Sequence, residues 1–330
     1  MKKAIFRGLV CIGVLSLILC TTLNHALAAK KKYPAGNIEL VCSFPAGGGP
    51  VDLQNRLLAA QLEKALGVTV VPINKPGGGG SLAAGVLANA RPDGYTLALM
   101  PETAIMMPIL LKQASFKLSD FCAIGQVNRG FPVVMVVPPD SPWKTFKEFV
   151  DRAKKHPSIT CAHPPVTTTA FLKMSYLNKF AKLGMVGLPM RTDSEIFTAI
   201  MGKHVPVAVS GVGGGLQSLS DSGKIRILFS FHPPADAGLD PKIPDFQSFF
   251  GQEPFDFGLH LWAPAKTPPE IVKTLRAVLK KIVDSPGFKN DMKKVKFTAY
   301  YRDGDVLMKQ VLPNSMEKLK EILTEIGMIK

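Results

Sequence analysis

Short apolar runs alternate along this chain with longer stretches whose apolar residues recur every three or four positions, so strand and helix signals follow one another. Ile38 to Phe44 reads as a strand, Asp52 to Leu66 as a helix, Thr69 to Ile73 as a strand, Ser81 to Ala90 as a helix and Tyr95 to Met100 as a strand. This alternation predicts an α/β fold built on mostly parallel sheets flanked by helices. Leu53, Leu57, Leu58, Leu62 and Leu66 give the first helix an apolar stripe, a core face rather than a cofactor box, and Gly67 ends it.

Two more apolar strands follow, Cys122 to Val127 and Val133 to Val137, before Pro138-Pro139-Asp140-Ser141-Pro142 stiffens the path. Thr145 and Glu148 have capping-box spacing. A second unit then repeats the logic: a strand at Ile159 to Ala162, a turn-rich loop from His163 to Thr169, a helix to Phe180, a helix at Asp193 to Met201, a strand at Val205 to Ser210 and a glycine-rich turn, Gly211 to Gly215. Beyond Lys224 to Phe231 and Gly258 to Ala263, Thr267-Pro268-Pro269-Glu270 caps a helix expected to turn Ile271, Leu275, Val278 and Ile282 inward. No repeat of fixed period appears. The expected organisation is two lobes joined by two crossover segments, with residues 29–136 and 263–330 in the first, 137–262 in the second, and hinges near Val136 to Pro138 and Leu261 to Pro264.

The first 28 residues read as a cleaved secretory signal: Lys2, Lys3 and Arg7, an apolar run from Leu9 to Leu19, then Ala26-Leu27-Ala28. The run is shorter than the roughly 20 apolar residues a spanning helix needs. Cys20 after Leu17-Ile18-Leu19 offers a lipoprotein alternative, which the bulky Leu19 disfavours. An exported, periplasmic protein is expected. Its removal lowers the formal charge by three, from +15 to +12. The lysines are scattered, with Lys289, Lys293, Lys294 and Lys296 the densest group, and no basic stripe is interleaved with aromatics. This excludes a nucleic-acid reading and leaves a surface that attracts small anions. Cys42, Cys122 and Cys161 remain, each in an apolar strand-like setting; an odd number is no complete disulfide framework, so they read as buried thiols, one internal bridge being the alternative.

Chemistry concentrates at Ser43-Phe44-Pro45-Ala46-Gly47-Gly48-Gly49-Pro50-Val51-Asp52, where a strand turns into a helix. Glycines bare backbone N–H groups at the positive end of a helix dipole, which suits a phosphate or carboxylate. No Lys-Ser/Thr pair follows, and a dinucleotide fingerprint is missing. The bland alternative is a tight turn with Asp52 as N-cap. Asn74-Lys75-Pro76-Gly77-Gly78-Gly79-Gly80-Ser81 is either a second cradle or a flexible connection. Thr103 sits past a strand end, where open α/β sheets place ligands, and Thr167, Thr168 and Thr169 offer hydroxyls at a helix start, as caps or as ligand donors. His163 and Arg191 are the nearby charged candidates. No nucleophile elbow, His-Glu-x-x-His or CxxC motif is present, so neither an enzyme nor a metal or other cofactor is expected.

Gly48-Gly49-Pro50-Val51-Asp52 with Arg56, Asn74-Lys75-Pro76-Gly77, Pro92-Asp93-Gly94-Tyr95-Thr96, Ser141-Pro142 with Thr145, Gly223-Lys224-Ile225-Arg226, and Trp262-Ala263-Pro264 before Thr267-Pro268 occur together and in this order. With them the chain resembles the periplasmic solute-binding subunits of tripartite tricarboxylate transporters, the Bug-type family. The resemblance implies a two-lobed fold of the type II periplasmic-binding-protein kind, closing on a small carboxylate in the cleft between lobes. It implies one cradle at Pro45, Ala46, Gly47, Gly48 and Gly49 and a second at His163 to Thr169, where Pro164 and Pro165 stand in place of amide donors. Relatives often carry an acidic or amide residue where this chain has Ser210-Gly211; Ser210 is the candidate ligand-binding residue at that strand end, though an amino-group contact is not implied there. The implied partners are a small carboxylate and membrane permease subunits, with the receptor a monomer. Sensing through a membrane receptor, or a secreted hydrolase, are the rival readings, and Gly48→Asp is expected to abolish binding without harming the fold.

Overall fold

The computed structural model describes residues 33–47, 49–128, 130–166, 168–213, 215–251 and 257–330. Residues 1–28, read from the sequence as a cleaved signal, Gly48 and Thr167 lie outside the described residues. All elements below belong to one contact unit, Gly36–Lys330.

In chain order the first half contains β1 (Ile38–Cys42), α1 (Pro50–Leu66), β2 (Val70–Asn74), α2 (Ser81–Ala88), β3 (Thr96–Pro101), α3 (Thr103–Leu110), β4 (Phe121–Asn128), β5 (Val133–Val137), α4 (Phe146–Lys155), β6 (Thr160–His163) and α5 (Thr169–Phe180). It continues through β7 (Val186–Pro189), α6 (Asp193–Met201), β8 (Val207–Gly211), α7 (Gly215–Asp221), β9 (Arg226–Ser230), α8 (Phe246–Phe250), β10 (Leu259–Pro264), α9 (Pro269–Asp284), α10 (Pro286–Lys294), β11 (Ala299–Asp303) and α11 (Leu312–Glu325).

Two sheets result: a six-stranded one in the order β11-β4-β10-β3-β1-β2 and a five-stranded one in the order β7-β6-β8-β5-β9. Both are mixed. β2, β1 and β3 run parallel, as do β7, β6 and β8, whereas β10, β4 and β11 pair antiparallel in the first sheet and β5 pairs antiparallel with both β8 and β9 in the second. The expected parallel arrangement thus describes the βα-repeating side of each sheet. Strands that carry the chain across between sheets supply the antiparallel side.

Sheet membership also differs from the expected lobe boundaries. β5, assigned mostly to the first lobe, is buried throughout and bonded on both edges within the second sheet. β10, assigned mostly to the second lobe, lies between β3 and β4 of the first. The chain passes from the first sheet to the second between β4 and β5 and returns between β9 and β10, while the expected hinges at Val136 to Pro138 and Leu261 to Pro264 lie at the end of β5 and within β10. The proline-rich segment 138–142 belongs to the β5–α4 connection, which Arg226 clasps by donating to the carbonyls of Ser141 (3.4 Å), Trp143 (2.7 Å) and Lys144 (2.9 Å).

Local sequence explains most helix ends. Pro50 at N1 opens α1, and Gly67, at φ 70°, closes it by donating its N–H to Glu63 O. Thr145 caps α4 by accepting the Glu148 N–H at 3.2 Å. Thr267, in contrast, donates its hydroxyl to Pro264 O (2.7 Å) and leaves α9 without a side-chain cap. The buried stripe of α9 comprises Val272, Leu275, Leu279, Ile282 and Val283, so the inward face is turned by one residue from the Ile271 and Val278 expected. In α1, Leu58 and Leu62 are core, but Gln54 and Asn55 are fully buried too: Gln54 accepts from Asn128 Nδ2 (2.7 Å), and Asn55 donates to Leu40 O (3.3 Å) while its Oδ1 stays without a hydrogen-bond partner. The glycine run before α2 is a close-packed turn rather than a cradle. A Cβ at Gly80, φ +106°, would lie 2.6 Å from that of Ala104, so only glycine lets α2 approach α3 there.

Candidate functional site

A cavity of about 450 Å³ opens between the two sheets. Four helices start on its wall: α1 at Gly49 and Val51, α3 at Thr103, α5 at Thr168 to Ala170, and α6 at Thr192 to Ser194. Each helix N-terminus carries roughly half a positive charge and unbonded N–H groups, so their convergence makes a site for an anion without requiring a cationic side chain. This geometry follows from topology, because β1, β3, β6 and β7 deliver the chain to helices at the same end of their sheets.

Phe44, Pro45, Ala46, Gly47 and Gly49 all line the cavity. Gly49, not Asp52, is the N-cap residue of α1. Asp52 lies one turn inside, almost wholly buried, and folds back on the loop: it accepts from the Gly47 N–H (3.3 Å), from Arg56 Nε (3.2 Å) and from Asn74 Nδ2 (2.8 Å). Asn74 also donates to Phe44 O at 2.9 Å. The Gly-Pro-Val-Asp, Arg56 and Asn-Lys-Pro-Gly motifs thus form one brace, which holds the loop's shape and engages the Gly47 amide. Asp52→Ala strips the acceptor from all three donors; a loss of about 2 kcal/mol is expected in urea unfolding, with weaker ligand capture. An unchanged unfolding curve would show that the loop holds itself.

Thr103 is 1% exposed, lines the cavity, and its Oγ1 has no hydrogen-bond partner. A buried hydroxyl left this way costs stability unless something enters to meet it. The residue before it, Glu102, lies 2.5 Å from His260 Nε2 in a pair that is at most 2% exposed, which anchors the start of α3 to β10.

On the opposite wall Thr168 has a structural duty: its Oγ1 donates to Pro165 O (2.8 Å) and accepts the Phe171 N–H (3.3 Å) as N-cap of α5. Thr169 lines the cavity beside it. His163 does not; its Nδ1 lies 2.6 Å from Pro164 O, its ring sits 4.9 Å from that of Phe171 and against Gly187, and burial holds its pKa below the usual histidine range. Arg191 stands at the rim, 91% exposed and paired with Glu195 at 3.1 Å. Ser210 is fully buried behind the wall and donates to Asp193 Oδ1 at 2.9 Å. Asp193, Phe131 and Phe197 are lining residues that sequence reasoning missed. In the sequence Asp193 reads only as a helix start, and the Thr-Asp pair opening that helix is its one signal.

Cys42, Cys122 and Cys161 are free thiols, and burial pushes those of Cys42 and Cys161 up to about 12. Among the described residues no cluster of His, Cys, Asp and Glu is arranged to hold a metal ion.

Residues 55–328 match the family described as the tripartite tricarboxylate transporter family receptor, TctC. The chain belongs to this family. A relative of this TctC receptor, the UPF0065 protein in gbd 5'region of Cupriavidus necator, is 31% identical over 310 residues, 92% of either chain. The fold is that of the periplasmic binding protein BugD, with a TM-score of 0.79 at 24% identity over 89% of this chain and 99% of BugD. It is also that of MatC from Rhodopseudomonas palustris, solved with bound malate, with a TM-score of 0.75 at 20% identity over 88% of this chain and 100% of MatC. As a TctC-type chain this is a solute-binding receptor.

Proposed function

We propose that this receptor, exported and freed of residues 1–28, captures a small carboxylate in the periplasm and delivers it to the membrane subunits of a tripartite transporter. The observation that carries the reading is the convergence of four helix N-termini on one cavity whose only lysine or arginine among the described residues, Arg191, is engaged by Glu195 at the rim. Fixed amides and dipoles in a partly dry cleft hold a carboxylate well, because they are already oriented and need no rearrangement. The unpartnered hydroxyl of Thr103 adds a donor. The malate bound in MatC, a structure of the same fold, is consistent with this class of ligand. Contacts from both walls favour the closed form, and that form is what a membrane partner recognises.

A thermal-shift and calorimetric screen of the protein without its leader, against di- and tricarboxylates, aromatic acids and amino acids, tests the reading. A ligand at 100 times its dissociation constant stabilises by about 2.7 kcal/mol. Thr103→Val keeps the shape and removes the hydroxyl, so affinity for the best carboxylate should fall about tenfold, roughly 1.4 kcal/mol, while the ligand-free protein melts no lower than the original. Unaltered affinity would take Thr103 out of the site, and a cooperative melt with no carboxylate hit would remove the carboxylate reading.

A further inference from the structure

The start of α3 poses a problem of sign. Pro101 and Thr103 both line the cavity, and the residue between them is Glu102, 2% exposed and the N-cap of α3, whose side chain bonds none of that helix's N–H groups. A helix N-terminus offers an anion roughly half a positive charge. An ionised carboxylate at the same place more than cancels it, so α3 can serve an anion only if Glu102 is neutralised. Its partner is on β10: Glu102 Oε2 lies 2.5 Å from Nε2 of the fully buried His260. No other ionisable side chain among the described residues bonds to either member. Arg302 stands in the same row of the sheet, since Gln126 of β4 is in register with both His260 and Arg302, but its guanidinium donates to Tyr300 Oη at 3.1 Å.

The second ring nitrogen, His260 Nδ1, and the carboxamide oxygen of Gln126 are both buried without a hydrogen-bond partner among the described residues. The two side chains lie side by side, because a Cβ at Gly258 would be 2.5 Å from Gln126 Nε2 and 2.7 Å from His260 Cε1. A neutral ring that donates to Glu102 through Nε2 leaves Nδ1 as an acceptor beside an amide whose unmet atom is also an acceptor. A protonated ring carries a donor on each nitrogen, one for the carboxylate and one for the amide oxygen. We propose that His260 is held as an imidazolium that cancels the charge of Glu102, and that this buried pair, itself absent from the cavity wall, is what lets the N-terminus of α3 accept an anion. The inference rests on the carboxylate reading above and adds to it a positioning residue that never touches the solute.

The test is isothermal titration of the leader-free protein and two variants with malate, succinate, glutarate and citrate. His260→Gln keeps an amide donor for Glu102 but removes the positive charge, so affinity for the tightest of the four acids should fall at least about tenfold. His260→Gln combined with Glu102→Gln removes both charges and should return affinity to within about threefold of the original. A pair that only fastened α3 to β10 would treat the two variants alike, because an amide donates as well to a carboxylate as to another amide. Melting curves check that each variant folds. A single variant that binds no worse than the double one overturns the inference while leaving the carboxylate reading in place. Should His260→Gln fail to fold, Glu102→Gln alone decides: binding no weaker than the original supports the inference, and weaker binding overturns it. Failure of all four acids to bind the unaltered protein counts against the carboxylate reading itself and takes this inference with it.

Discussion

Gly49→Asp is expected to lower carboxylate affinity by about 100-fold or more, about 2.8 kcal/mol, in a protein that melts no lower than the original. Gly49 has φ −64° and ψ 160°, a conformation open to any residue, and a Cβ built there meets nothing within 4 Å. The helix it precedes has no side-chain cap, and aspartate is a better N-cap than glycine by a few tenths of a kcal/mol. The new carboxylate would take up the dipole and the free amides of α1 for itself. It would also repel an incoming anion by as much as about 4 kcal/mol at 4 Å in a surface-like dielectric. Calorimetry and a melting curve on the same sample separate the two effects. Undiminished affinity would place the anion away from α1, whereas a collapsed melt would mean that the loop tolerates no side chain.

Trp262→Ala should be the most destabilising of these changes, by about 3–5 kcal/mol, which for a chain of this size lowers the melting temperature by roughly 10 °C. Trp262 is fully buried on β10, the strand that returns to the first sheet, with its ring edge-on to Phe121 at 6.2 Å. Its Nε1–H donates to Met100 O at 3.1 Å, so truncation leaves both a large cavity and a carbonyl deprived of its donor. Met100 lies just upstream of Thr103, and some loss of ligand affinity should accompany the loss of stability. A shift of under about 1 kcal/mol would mean that the surrounding side chains close the gap.

The parts of the site that are contiguous in sequence were legible there. The loop from Pro45 to Gly49 and the threonine after β3 were visible because a strand-to-helix turn is a local event and its place at a strand's end is a rule of the fold. Pairing direction was not legible, since nothing in the apolar runs of β5 or β10 says which sheet will receive them or which way they will run. His163 shows how a polar residue misleads: alternation along β6 can place it on either face, and the fold turned it against β7. Asp193 shows the converse, a residue that local grammar explains fully as a helix start but that the fold carries to the cavity wall, where Ser210, seventeen residues later, reaches it. Asp52 likewise needed its distant partner Asn74 before its role as a brace could be seen.

The deep placement of Cys42 and Cys161 bears on how readily the chain could form a wrong disulfide in an oxidising compartment. A thiol with a pKa of about 12, as at Cys42 and Cys161, is ionised at neutral pH in roughly one molecule in 100,000, and only the ionised form attacks a disulfide or an oxidant. Once folded, these sulfurs are shielded both by the packing around them and by their reluctance to ionise. For these two thiols the hazard of a wrong cross-link is therefore concentrated in the interval before the sheets close.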